Sequence, residues 1–328
     1  MESQSIQKPL TPIITPQAFQ AQRMNTLLKE PRTEIIHVPN HWEMDTGRTH
    51  TLELLVWECD AGEGTEIPTA VCVHGLTRNA HDFMWLADSL SLTHRVIAIS
   101  MAGRGNSPRL ADVFHYNYGT YVQDCLAVLK HIGVPQVDWI GTSMGGIIGM
   151  MIAAHAPQLV RSLVINDIGA IVPADALQRI YSYAGTPHLF PSNDACADYL
   201  REVLTPWHIP AQAWHNLLHH SIMQLPDGQF TLCCDPDILA AVKFTTEDFT
   251  KVEDVSLEEF WNKITCPTLL LHGLASDVLP ADVAQSMAAL AHVEYIPYAG
   301  IGHAPSLMED EQIGAVCTWI RHAPEKVR

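Results

Sequence analysis

VDWIGTSMGGIIGMMIAA, residues 137–154, is the stretch from which the fold can be read. Its apolar start reads as a buried strand, and the small-residue run from Met144 reads as a helix. At the junction stands Gly141-Thr142-Ser143-Met144-Gly145. A serine hydroxyl is a poor nucleophile, so it must be exposed to a base and to a substrate carbonyl together. A strained strand-to-helix turn does this, and the crowding it creates calls for glycine two residues before and two after the serine. The plainer reading, a helix N-cap with packing glycines, explains the glycines but not the strand in front of them. Ser143 is therefore the candidate nucleophile.

Outward from this junction the chain alternates. TAVCVHG, RVIAIS, VDWIGTS, SLVINDIG and CPTLLLHG are short runs rich in Val, Ile and Leu, nearly free of polar alternation. Such strands are buried on both faces, as in a parallel sheet. Helical stretches such as HDFMWLADSLSL and YGTYVQDCLAVLKHIG lie between them. The pattern predicts a doubly wound, mostly parallel α/β sheet with right-handed crossovers. The alternation stops after SLVINDIG and resumes near Cys266. The expected organisation is an N-terminal arm over 1–32, a core over 33–170 and 264–328, and an inserted helical cap over 171–263.

A nucleophilic serine needs partners. Hydrolysis puts negative charge on the substrate carbonyl oxygen, which two preorganised backbone N–H groups can stabilise. His74-Gly75-Leu76, at the end of TAVCVHG, sits where such a donor is wanted, so Leu76 N–H and Met144 N–H are the expected oxyanion hole. Of 18 histidines, His303 in AGIGHAPSL stands out. It follows the last strand candidate on a loop at the carboxyl edge of the sheet, where ligand chemistry gathers. His303 also comes last in the chain order Ser, Asp, His, and for the acid that orients it Asp277 in LLLHGLASDVLP is favoured, because the HG-x-x-x-D-x-x-P context puts it on a loop facing that of His303. Asp167 in LVINDIGA is the rival. Arg78, just after the oxyanion candidate, is either a surface residue or a receptor for a substrate carboxylate. His215 and His219 stand one helical turn apart but lack the Glu of a metalloprotease motif, and read as cap packing.

The formal net charge of −17 disfavours nucleic acid and anionic membrane partners. Eight cysteines with no CxxC spacing read as reduced thiols, and the N-terminal residues lack a signal-peptide pattern, so a cytoplasmic enzyme is expected. The chemistry calls for no cofactor and no metal, and the partner expected is a small molecule. Oligomeric state is not legible.

HG, GxSxGG, HGxxxDxxP and GxGH occur in that order, and through them the chain resembles the α/β-hydrolase superfamily from about residue 50 to 170 and again from 264 to 325. The resemblance implies a serine hydrolase that cleaves an ester, thioester or lactone through an acyl-enzyme, with a cap shaping the substrate pocket. Carbon–carbon bond hydrolysis or cofactor-free perhydrolysis would use the same triad, and a silent binding protein would use the same fold. One departure stands out: the superfamily's D-x-x-G-x-G-x-S segment begins here with Ser100.

Overall fold

Residues 28–42, 47–59, 67–184, 186–240 and 252–323 are described by the structure, a computed structural model. The apolar runs become strands, introduced here in chain order with the helices between them. The first part comprises β1 (Arg32–Pro39), β2 (Thr49–Trp57), β3 (Thr69–Val73), α1 (Met84–Leu90), β4 (Arg95–Ser100), α2 (Tyr118–Ile132), β5 (Val137–Thr142), α3 (Met144–His155) and β6 (Val160–Asn166). After a long intervening stretch come β11 (Thr268–Gly273), α8 (Ala281–Ala288), β12 (Val293–Tyr298) and α9 (Asp310–His322). The eight strands form one sheet in the order β1-β2-β4-β3-β5-β6-β11-β12. From β4 to β12 every neighbouring pair is parallel, while β2 is antiparallel to both β1 and β4.

Strand order reverses direction at β3, which has β4 on one side and β5 on the other. The loops leaving β3 and β5 therefore diverge and open a crevice at their carboxyl ends. That crevice is where Gly75 and Ser143 meet.

The central strands are buried along their whole length, which explains their unbroken apolar sequences. Successive residues of β3 feed opposite faces. Val71 and Val73 join the core under α2, α3 and α8, and Ala70 and Cys72 join the core under α1 and α9. Each fully buried Leu- or Ile-sized side chain contributes about 1.5–3 kcal/mol. α3 is apolar all round because strands and helices enclose it, and its small residues permit the approach. A Cβ on Gly149 would lie 2.4 Å from the Trp139 ring.

The intervening stretch carries β7 (Ile171–Val172), α4 (Ala174–Ala184), α5 (Asn193–Val203), α6 (Trp214–His219), β8 (Ile222–Gln224), β9 (Phe230–Leu232), β10 (Val255–Ser256) and α7 (Glu258–Trp261). It carries these four helices and also two small antiparallel pairs, β8 with β9 and β7 with β10. Strands of two or three residues are too short to show a periodicity in sequence. The second pair sets Val172 opposite Val255, bringing the two ends of the stretch together. Leu200, Leu204, Trp207, Ala213 and Leu217 form a separate apolar cluster, joined from the core by Met308. Of the arm expected over 1–32, residues 1–27 lie outside the described residues. Its end is tied down where Trp57 Nε1 donates to Lys29 O at 2.8 Å.

The departure at Ser100 has a local explanation. Ser100 faces Glu53 across the β2–β4 register. Ser100 Oγ donates to Glu53 Oε2 at 2.9 Å, and Asn106 Nδ2 donates to Glu53 Oε1 at 2.6 Å. The buried carboxylate that fastens this loop comes from β2 instead of β4.

Candidate active site

Ser143 has φ +51° and ψ −112°, a strained conformation for a residue with a side chain. The turn holds because Ser143 N donates to Asn166 O at 2.9 Å and because α3 starts at once. Its glycines are sterically required. A Cβ on Gly145 would sit 1.9 Å from Val73 O, and one on Gly141 would sit 2.2 Å from Gly145 O.

Ser143 Oγ lies 2.9 Å from His303 Nε2, and His303 Nδ1 lies 2.8 Å from Asp167 Oδ2. An ionised carboxylate only accepts, so Nδ1 carries the hydrogen and Nε2 is left to accept from the serine hydroxyl. Asp167 is fully buried, at the end of β6, with φ +56°. Its other oxygen, Oδ1, accepts from Gly273 N at 2.8 Å, which fixes the carboxylate on both sides. The loop that carries His303 is held by two neighbours: Asn166 Nδ2 donates to Pro305 O at 2.9 Å, and Gly302 N donates to Pro206 O of the intervening stretch at 2.9 Å.

Asp277 does not occupy the place expected for it. It borders the same cleft, but it is about half exposed and pairs with Arg179 of α4, with Arg179 Nη2 donating to Oδ1 at 2.8 Å. Burial alone would raise the Asp277 pKa, but the Arg179 hydrogen bonds and charge outweigh it and hold the pKa below the ordinary carboxylate range. The correction is therefore geometric: Asp167, one strand nearer to Ser143, takes the contact with His303, while a guanidinium from a distant helix takes Asp277.

Leu76 and Met144 both lie at the crevice. Met144 N–H is in the first turn of α3, where it has no intrahelical acceptor. Gly75 O is pinned on the far side, accepting from Arg78 N at 3.1 Å and from His74 Nδ1 at 2.6 Å. In a trans peptide the N–H opposes the carbonyl, so Leu76 N–H is turned away from those donors. His74 is fully buried and receives Met101 N at Nε2, 3.0 Å, so its hydrogen is on Nδ1. Burial pushes its pKa down to about 3, outweighing the hydrogen bond to Gly75, so it is neutral at ordinary pH.

Two contributors were not legible in the sequence. Arg104, fully buried between two glycines of the SMAGRGNS segment, donates to Leu76 O at 3.0 Å and to Ala102 O at 2.7 Å. Its Nη2 lies 3.9 Å from Met144 Sδ, and the rings of Tyr116 and Tyr121 lie 5.4 Å and 5.0 Å from its guanidinium carbon. Among the described residues no carboxylate pairs with it, so its charge stands behind both expected oxyanion donors. The second contributor is the wall that Pro206 and Trp207 of the intervening stretch give the cleft. The cleft has a volume of about 310 Å³ and is lined by Leu76, Ser143, Asp277 and His303 among others. His215 and His219 are exposed on α6.

Comparison with known proteins identifies the fold family. The family model for the alpha/beta hydrolase fold matches residues 68–204. A 3-hydroxybutyrate-oligomer hydrolase of Cupriavidus necator is 34% identical over 249 residues, 74% of this chain and 85% of that protein. A 2-hydroxymuconate semialdehyde hydrolase of Pseudomonas putida is 38% identical over 101 residues, 30% of this chain and 35% of that protein. The crystal structure of an alpha/beta hydrolase from Novosphingobium aromaticivorans superposes with a TM-score of 0.75 at 29% identity, covering 89% of this chain and 99% of that one. The chain belongs to the α/β-hydrolase family and is a hydrolase. No helix among the described residues is long and apolar enough to cross a membrane.

Proposed function

We propose that this enzyme hydrolyses carboxylic esters of small hydroxy acids through an acyl-enzyme on Ser143. The observation that carries the reading is the hydrogen-bonded chain from Ser143 Oγ through His303 to the buried Asp167. His303 Nε2 takes the Ser143 proton as Oγ attacks the ester carbonyl, and Asp167 stabilises the imidazolium that forms. Leu76 N–H and Met144 N–H receive the charge on the carbonyl oxygen. The tetrahedral intermediate collapses as His303 hands its proton to the departing alkoxide, leaving an alcohol and an acyl-Ser143. Water, deprotonated by His303, then attacks the acyl group, releasing the acid and restoring the serine.

Arg104 is a positioning residue in this scheme. It holds the Leu76 carbonyl and adds positive potential behind the hole. The stretch 171–263 acts as a cap that encloses the cleft, with the Arg179–Asp277 pair joining it to the core at the rim. The eight scattered cysteines support placing the enzyme in a reducing compartment such as the cytoplasm, acting on a dissolved small molecule.

Hydroxy-acid esters are favoured because the Cupriavidus necator relative, aligned over most of both chains, acts on 3-hydroxybutyrate oligomers. Carbon–carbon bond hydrolysis is the second reading, suggested by the shorter similarity to the semialdehyde hydrolase. Acid release from 3-hydroxybutyrate dimer and trimer, p-nitrophenyl butyrate and a vinylogous 1,5-diketone separates them. Turnover of the esters, lost in Ser143→Ala, supports the first; turnover of the diketone alone would replace it.

A further inference from the structure

A second chamber opens beside the cleft. Its volume is about 180 Å³, and Asn79, His188, Tyr199, Ser221 and Cys233 contribute to its lining. Thr77, Arg78, Tyr183, Val203 and Leu204 line both chambers and so form the waist between them. Arg78 is the only one of the five that carries a charge.

Its guanidinium is fixed. Nε and Nη2 donate to the two carboxylate oxygens of Asp82 at 2.9 Å and 2.6 Å, and Nη2 also donates to Ser221 Oγ at 2.9 Å. Both partners are buried, and the guanidinium carbon stands 5.9 Å from the Trp207 ring centre. This side-on grip uses one edge of the fork and leaves the Nη1 end. Among the described residues Nη1 makes no hydrogen bond, and it is not sealed in by protein either. A residue that is 94% buried thus lines both chambers and keeps one guanidinium nitrogen outside its ion pair.

The waist is close to the nucleophile. The position a Cβ on Gly75 would take is 3.8 Å from Ser143 Cβ and 4.0 Å from Arg78 Cγ. A substrate reaching from one residue to the other needs only a few bonds between its scissile carbonyl and whatever binds Arg78. A substrate carboxylate can accept a charge-assisted hydrogen bond from the Nη1 that Asp82 and Ser221 leave unused. Every charge here has a partner: Arg78 pairs with Asp82, Asp235 in the second chamber accepts from Tyr116 Oη at 2.6 Å and lies 3.7 Å from Arg109, and Asp277 is held by Arg179, so Arg78 offers a ligand its remaining Nη1 donor and not an unbalanced charge. A chain with a net charge of −17 repels anions in general, so an anionic substrate needs a fixed local donor to be retained.

We propose that Arg78 is the receptor for a free carboxylate on the substrate, a few bonds from the scissile ester. The preferred substrates are then monoanionic esters in which the alcohol being released is itself a short hydroxy acid. The carboxylate lies at the waist, and the acyl part occupies the cleft at Ser143. The proposal rests on the ester-hydrolase reading above and adds the subsite that selects the acid end.

The test uses the whole chain and two substrates, 3-(butanoyloxy)butanoate and its methyl ester, with acid release followed by titration. The wild-type protein is expected to favour the free acid in kcat/KM by roughly ten- to a hundredfold, the range of one charge-assisted interaction. Arg78→Gln, confirmed folded by circular dichroism, should bring that ratio to about one, mainly through KM for the acid, and Arg78→Lys should restore part of it. If Arg78→Gln does not fold, the wild-type ratio decides alone. A wild-type ratio near or below one overturns the proposal while leaving the hydrolase reading intact, as does a ratio unchanged in folded Arg78→Gln. Failure to turn over either ester overturns the hydrolase reading, and the proposal with it.

Discussion

Asp167→Asn is expected to disable the enzyme through the wrong imidazole tautomer. The native carboxylate accepts twice, from Gly273 N–H at Oδ1 and from His303 Nδ1–H at Oδ2, each at 2.8 Å. An asparagine of the same shape offers one acceptor and one donor. The Gly273 N–H cannot change its role, so the amide oxygen must face it, and the amide NH2 is left facing His303. The ring responds by giving up the Nδ1 hydrogen and carrying it on Nε2, where it points at Ser143 Oγ and can no longer take the serine proton. The charge that stabilises the imidazolium is lost as well. The combined loss in kcat is on the order of 10⁴-fold, about 5.5 kcal/mol of transition-state stabilisation. Asp277→Asn gives up only part of a half-exposed ion pair and should stay within a few-fold of wild type. Both variants are to be assayed for kcat on p-nitrophenyl butyrate, with circular dichroism confirming the fold. A thousandfold loss in Asp277→Asn beside a loss of less than tenfold in Asp167→Asn would refute this reasoning.

Arg104→Lys keeps the charge but not the hydrogen bonds to both Leu76 O and Ala102 O; steady-state kinetics should show kcat down by roughly 10- to 100-fold with KM little changed, and a pure KM effect would contradict a role behind the oxyanion hole. Gly145→Ala would place a carbon 1.9 Å from Val73 O, and should yield insoluble protein or a large fall in melting temperature. The depressed pKa of His74 makes stability pH-dependent. The unfolded chain binds a proton that the folded one refuses between pH 6.5 and about 3, so stability is complete above that window and falls on acidification, by up to about 1.4 kcal/mol per pH unit. Urea unfolding at pH 7, 6 and 5 should be less pH-dependent in His74→Gln, and an identical dependence would contradict it.

The alternation of apolar runs made the parallel sheet legible, and the glycine spacing around Ser143 made the turn legible, because both follow from local sterics and burial. The choice between Asp277 and Asp167 was not local. It depends on the left-handed backbone at Asp167, which swings the carboxylate toward His303, and on Arg179, 98 residues away in sequence, which claims Asp277. Glu53 was hidden for a similar reason: in THTLELLVW it is a lone acid in an apolar strand, and only the cross-strand register brings it to Ser100. Arg104 was visible as part of a glycine-rich segment, but nothing in the sequence says that its guanidinium is buried against two tyrosine rings.

The central claim, a serine nucleophile activated by His303, is tested most directly by covalent labelling with a fluorophosphonate followed by peptide mass analysis. One label is expected per chain, on the peptide containing Ser143, with none in Ser143→Ala and labelling slowed by orders of magnitude in folded His303→Ala. Label on another residue, or equal labelling rates in wild type and His303→Ala, would contradict the account.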